Sequence, residues 1–203
     1  MPGGTSFVSR NAIRDTDGRL WLTVPVSGKG EFRPISEIRT ARKKWGRKHI
    51  NSLKINYSRS QWKNIIEEFI EPIISSDIEK LADINIELIK VICEILEITP
   101  NRFLRASEMA LAYNDANSVP EILRRTSATS YLTGMGEGMR RYLESWELDS
   151  LGVKTVFVSP AFRRYKQLHR GFEENLSAID ALLSVGPEET SKILRDPPLI
   201  VSP

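Results

Sequence analysis

Sulfur and imidazole are scarce in this chain. Cys93 is the single cysteine among 203 residues, which excludes a disulfide scaffold. That cysteine and two histidines, His49 and His169, are too few ligands for a protein-only structural zinc site. No metal site and no cofactor are expected. Long apolar runs are missing as well. No stretch approaches about eighteen uninterrupted apolar residues, so no membrane-spanning helix is expected. The opening Met1-Pro2-Gly3-Gly4-Thr5-Ser6 has no apolar h-region, and the expectation is a cytoplasmic protein. What remains is 40% hydrophobic and 27% charged, too apolar for a chain disordered throughout. The length suits one domain, or one with an appendage.

Charge is segregated behind a net value of +3. Residues 1–60 hold thirteen Lys/Arg against four Asp/Glu, whereas residues 67–97 hold nine acidic residues against Lys80 and Lys90. The basic part peaks over residues 39–48, with six cations in ten positions. A second cluster is Arg163, Arg164, Lys166, His169 and Arg170. Such clusters concentrate anions, either phosphorylated small molecules or nucleic acid. The plain alternative is a solvated helix face partly neutralised by the acidic segment. No recognition fold or aromatic-rich motif speaks for nucleic acid.

The local patterns predict a mixed α/β fold. An N-terminal β-hairpin spans residues 7–13 and 20–26, with Asp17-Gly18 as its turn signal. A third strand is expected over residues 35–40. Trp45, His49, Leu53 and Tyr57 recur every four residues, so they share one face of a first helix. Ser60 reads as the cap of a second helix that Pro72 weakens or ends. Ser76 and Glu79 read as a capping box for a third helix over residues 77–98. Beyond residue 100 short elements alternate. Strands are expected at 102–106, 129–132 and 152–158, and helices at 119–125, 139–146 and 175–183. This alternation implies some parallel pairing. The expected organisation is one domain over residues 1–190: a β-rich opening section (1–42), a helical section of about three helices (43–99) and a short α/β section (100–190). A flexible tail, 191–203, follows.

Several residues carry candidate chemistry. His49 is either a buried, hydrogen-bonded core histidine or a general acid/base. Lys48 and Arg47 beside it favour the neutral base. His169, in the basic cluster, reads as a surface residue. The loop Thr133-Gly134-Met135-Gly136-Glu137-Gly138 follows a strand and precedes a helix, a place where glycines admit an anion to backbone amides. It lacks the Gly-Lys-Ser/Thr of a phosphate loop, its third glycine is misplaced for a dinucleotide site, and Glu137 repels phosphate. A plain turn competes with a ligand loop there. Asp83-Ile84-Asn85 in the third helix either joins a buried network or faces solvent. Cys93, inside an apolar stripe, reads as an inert core thiol.

In order along the chain, five stretches resemble the WbqC-like family, whose namesakes come from bacterial surface-polysaccharide (O-antigen) gene clusters. They are Arg10-Asn11-Ala12-Ile13 leading into Trp21-Leu22-Thr23-Val24-Pro25-Val26 and Lys29-Gly30; Pro34-Ile35-Ser36-Glu37-Ile38; Trp45-Gly46-Arg47-Lys48-His49 with Tyr57; Leu81-Ala82-Asp83-Ile84-Asn85 with Leu88-Ile89; and Tyr165-Lys166-Gln167 followed by Gly171-Phe172, Leu176-Ser177, Ile179-Asp180-Ala181-Leu182-Leu183 and Gly186-Pro187-Glu188. The resemblance implies a bacterial enzyme of polysaccharide or related metabolite biosynthesis, a transferase acting on activated, phosphate-bearing sugars or acyl carriers. It nominates His49, Asp83 and Tyr57 as catalytic. Substrate or anion binding falls to Asn11, Lys29, Lys48, Asn85, Gly134, Gly136, Tyr165 and Gln167, with Trp45, Ser177 and Asp180 also at motif positions. The family carries an opening segment rich in Gln-Pro and Phe-Pro-Trp before its Arg-Asn position. Here Arg10-Asn11 falls within the first dozen residues, so the expectation is an absent opening strand and an unpaired sheet edge, explained by a different start, a shortened paralogue or a partner strand from a dimer mate.

Three functions compete at this point. One is the transferase, with a phosphorylated or nucleotide-linked small molecule as partner. Another is a non-catalytic scaffold or regulatory subunit whose opposed charge blocks pair in a homodimer. The third is nucleic-acid binding through residues 39–48, which predicts steep salt dependence.

Overall fold

The structure is a computed structural model that describes residues 8–28, 33–41, 44–100, 102–112, 117–134, 148–158, 164–195 and, as backbone, 199–201. The chain divides into two units, residues 1–99 with 162–194 and residues 100–161 with 195–203. The described residues form five α-helices and two small sheets, so the fold is mixed α/β.

The first unit opens with the hairpin of β1 (Arg10–Arg14) and β2 (Arg19–Thr23), paired antiparallel with Asn11 opposite Leu22 and Ile13 opposite Leu20. Its turn follows the sequence signal. The Asp15 carboxylate accepts the backbone N–H groups of Asp17 and Gly18, each at 2.9 Å, and Gly18 takes φ 138°. No strand forms over residues 35–40. Pro34 starts a 3-10 turn at Ile35–Glu37, and isolated bridges join Val26 to Thr40 and Arg39 to Lys80.

Helix α1 (Lys44–Asn56) carries the expected stripe: Trp45 and Leu53 are buried, and Tyr57 follows just past its end. His169, expected on the surface, is half-buried, with Nε2 at 3.2 Å from the Asn56 carbonyl at the end of α1. It answers one of the acceptors a helix C-terminus leaves open. The second helical segment starts at Ser60, whose hydroxyl accepts the Trp62 N–H at 2.9 Å and donates to the Leu183 carbonyl at 2.5 Å. Pro72 does not end this segment. A π-helical turn, Ile66–Ile70, widens the chain just before it, and Pro72 sits in the first turn of α2 (Glu71–Ile74).

The third helix is shorter than its pattern. Helix α3 spans Leu81–Ile95, with Lys80 in the capping position. The capping box fails because its members have other partners. Glu79 pairs with Arg39, and Ser76 donates to the Ile73 carbonyl at 2.7 Å. Backbone bonds Thr40 N–H to Glu79 and Leu81 N–H to Ile38, each at 2.9 Å, hold residues 79–81 against 38–40. Long-range pairing here outweighs local propensity.

The closing helix, α5 (Ala178–Arg195), runs past the expected end at 183 and into the stretch read as tail. It bends at Gly186, which has φ 85°, and Pro187 restarts it. A Cβ at Gly186 would collide with the Trp62 indole, so this position needs glycine for space and for backbone angle. The core joins Ile13 of β1, Leu53 of α1 with Tyr57 just past it, Ile66 and Ile70 of the π-turn, and Leu182 and Leu183 of α5, with Leu22 and Leu88 packed against them.

The second unit holds α4 (Ser118–Arg125), entered through Pro120, and a sheet of order β3-β4-β5. Strands β3 (Ser130–Gly134) and β4 (Lys154–Val158) are parallel, and β5 (Leu199–Val201) pairs antiparallel with β4. Residues 102–105 form no strand; a 3-10 turn, Ala106–Glu108, follows, and Phe103 and Leu104 stay exposed. The helix expected over 139–146 lies outside the described residues. Leu123, Leu148 and Val153 form a small core of their own.

Candidate functional site

A cavity of about 340 Å³ lies within the first unit, between the hairpin, α1 and α3. Three periodicities build it. The alternation of β1 puts Asn11 and Ile13 on one face, with Leu22 of β2 beside them. Helix α1 contributes Trp45, His49 and Leu53 at four-residue spacing. Helix α3 contributes Ile84, Asn85, Leu88, Ile89 and Ile92 from three successive turns of its stripe.

Polar groups are few and oriented. The His49 Nε2 donates to the Thr23 carbonyl at 3.2 Å. That bond fixes the tautomer and leaves Nδ1 as the basic nitrogen. Burial pushes the His49 pKa below its usual 6.5, against a smaller upward pull from the Thr23 bond. The ring is therefore neutral at pH 7. It also meets the Trp45 ring edge-on, centroids 5.1 Å apart. The Asn85 side-chain amide donates to the Val8 carbonyl at 3.0 Å, and Asn11 Oδ1 accepts the Ala12 N–H at 2.8 Å. The Arg10 guanidinium stacks 4.2 Å from the centre of the Trp21 ring.

A second cluster sits where α1, β1 and α5 meet. Asp180 and Tyr57 are both fully buried. The Tyr57 hydroxyl donates to Asp180 Oδ1, and the Tyr165 hydroxyl donates to Oδ2 at 2.6 Å. The Arg14 N–H reaches the same Oδ1 at 3.1 Å and the Tyr57 hydroxyl at 3.3 Å. Burial, then the Asp180 carboxylate, push the Tyr57 pKa far above its usual 10. Burial and the Asp180 bond also raise that of Tyr165. Both phenols stay protonated and act as donors. Ser177 N–H bonds the Ala12 carbonyl at 2.8 Å, which ties the start of α5 to β1.

The sequence candidates thus separate. Asn11, His49, Asn85, Trp45 and Ser177 line the cavity. Tyr57, Tyr165 and Asp180 form the buried cluster. Gln167 is buried and exchanges bonds of 2.8 and 3.0 Å with the Glu173 backbone, so it shapes a loop. Asp83 is half-buried in the first turn of α3, away from the cavity lining. Lys48 is exposed, and Gly134 ends β3 in the second unit. Lys29 and Gly136 lie outside the described residues. Cys93 is half-buried. Arg10 was not nominated, although it adjoins Asn11 and its stacking partner Trp21 lies in the paired strand. Among the described residues, no group of three His, Cys, Asp or Glu side chains is placed to hold a metal ion, and no helix is long and apolar enough to cross a membrane.

Fold and site together define a mixed α/β protein with a ligand-sized, largely apolar pocket edged by a neutral histidine and two asparagines. The chain belongs to the WbqC-like protein family, whose model matches residues 4–192. It is also 31% identical over 183 residues to a Mycobacterium tuberculosis (strain ATCC 25618 / H37Rv) protein named "Uncharacterized protein Rv1507c", covering 89% of this chain and 78% of that one. No solved structure gives a significant match.

Proposed function

We propose that this chain is a transferase-type enzyme of polysaccharide or related metabolite biosynthesis that binds a phosphate-bearing activated substrate in the first-unit pocket. The observation that carries the reading is His49, half-buried in a ligand-sized cavity with one ring nitrogen satisfied by Thr23 and the other left basic. A neutral imidazole in that state suits a general base that removes a proton from an attacking hydroxyl or amine. Asn11 and Asn85 supply polar groups at the same cavity. Arg47 and Lys48, exposed on the neighbouring surface of α1, add the positive potential that draws a phosphate. Tyr57 fits a positioning role here, since its hydroxyl is committed to Asp180 two turns beyond His49.

The test is a thermal-shift panel of nucleoside-diphosphate sugars and coenzyme A thioesters on the wild-type chain and His49→Ala. At least one phosphorylated compound should raise the wild-type Tm, with a smaller shift in the variant. No stabilisation by any of them removes the reading.

The homodimer reading has less support, because part of the opposed charge is used within the unit. Arg39 pairs with Glu79, and Lys54 pairs with Glu67 at 3.0 Å and Glu71 at 2.7 Å. A salt-independent monomer on size-exclusion chromatography would remove it.

A further inference from the structure

We infer that the pocket receives an aliphatic acyl group, its chain along the α3 wall and its carbonyl or carboxylate oxygen toward the Asn11 amide. The inference rests on the reading above only in taking this pocket as the substrate site. Its first support is the incomplete cover of α3. Leu81 and Ile84 are the buried members of this strongly apolar helix, whereas Leu88 and Ile92 are half-buried and Ile89 is 52% exposed. All three line the cavity, opposite Leu22 and Leu53. A sugar ring placed there would set hydroxyls against aliphatic carbon and lose their hydrogen bonds to water. A hydrocarbon chain loses nothing and removes both surfaces from water.

The second support is an uncommitted donor at the cavity edge. The Asn11 oxygen is already bonded to the Ala12 N–H, which leaves its NH₂ to be satisfied. A donor of this kind calls for an acceptor oxygen, which an acyl carbonyl or carboxylate provides.

Calorimetric titration of the full chain with butyrate, hexanoate and octanoate, and with the three matching coenzyme A thioesters, tests the inference. Affinity should rise about fourfold per methylene until the cavity is filled. Leu88→Phe and Ile92→Phe, each checked for unchanged circular dichroism, should move the plateau to shorter chains. Affinity independent of chain length, or no binding in either series, overturns the inference. Chain-length-independent binding of the thioesters leaves the phosphate-bearing reading intact. A graded carboxylate series with no thioester binding upholds the acyl pocket and removes that reading instead.

Discussion

The pocket and the Tyr57–Asp180–Tyr165 cluster hang on the same two elements, yet they treat polarity in opposite ways. Both draw on β1, through Asn11 in one and the Arg14 N–H in the other. Both draw on the α1 stripe, which runs from Trp45 and His49 to Leu53 and on to Tyr57. In the cluster every named hydroxyl has a protein partner, and Tyr57 and Asp180 are fully buried. In the pocket a ring nitrogen of His49 and the Asn11 NH₂ are left over beside aliphatic walls. Satisfied buried networks fix one arrangement of a core, and unsatisfied groups beside a cavity mark where a ligand completes the count. The cluster is therefore the brace and the pocket the site.

The contrast can be broken from either side. Asp180→Ala should have the largest effect on stability, because it leaves two phenols and a backbone N–H without their acceptor. A loss of at least about 3 kcal/mol in urea unfolding is expected. A near-neutral result would mean that the cluster is not a brace. His49→Ala should lower turnover about a hundredfold or more, once a substrate is in hand, while costing less than about 1 kcal/mol of stability. Gly186→Ala lies outside the lining of the pocket and should cost about 2 kcal/mol through the Trp62 collision and the positive φ, with ligand-induced shifts preserved.

The smallest effect is the pH dependence from His49. Its folded pKa lies below the unfolded 6.5, so the unfolded chain binds the proton more tightly. The His49 contribution is fully present above pH 6.5 and is lost as pH falls through the folded pKa. Unfolding curves from pH 8 to pH 5 should show this acid-side loss in the wild type and a weaker one in His49→Gln. Equal slopes would place His49 in solvent rather than in the pocket wall.

Much of the frame was legible because local and long-range demands agreed. Asp17-Gly18 between two β-rich runs specified the hairpin, and four-residue spacing specified the α1 face. Where they disagreed, the sequence misled. Ser76 and Glu79 form a sound capping box, but Arg39 claims the glutamate and residues 38–40 claim the backbone around it. The partition of the site was hidden for a related reason. His49 and Tyr57 share one stripe, and the stripe does not say where cavity gives way to core. That depends on Asp180, 123 residues beyond Tyr57. The apolar wall was visible as a stripe on α3, but the exposure of Ile89 depends on packing that no local pattern encodes.

The most direct test of the division between brace and site is the Tm of His49→Gln and of Tyr57→Phe, each measured with and without octanoyl coenzyme A. His49→Gln should keep the wild-type Tm and lose much of the ligand-induced rise. Tyr57→Phe should lower the Tm, by about 1–3 kcal/mol of stability, and keep the rise. The reverse pattern, with a stable Tyr57→Phe that no longer responds and a His49→Gln that responds in full, would contradict the account.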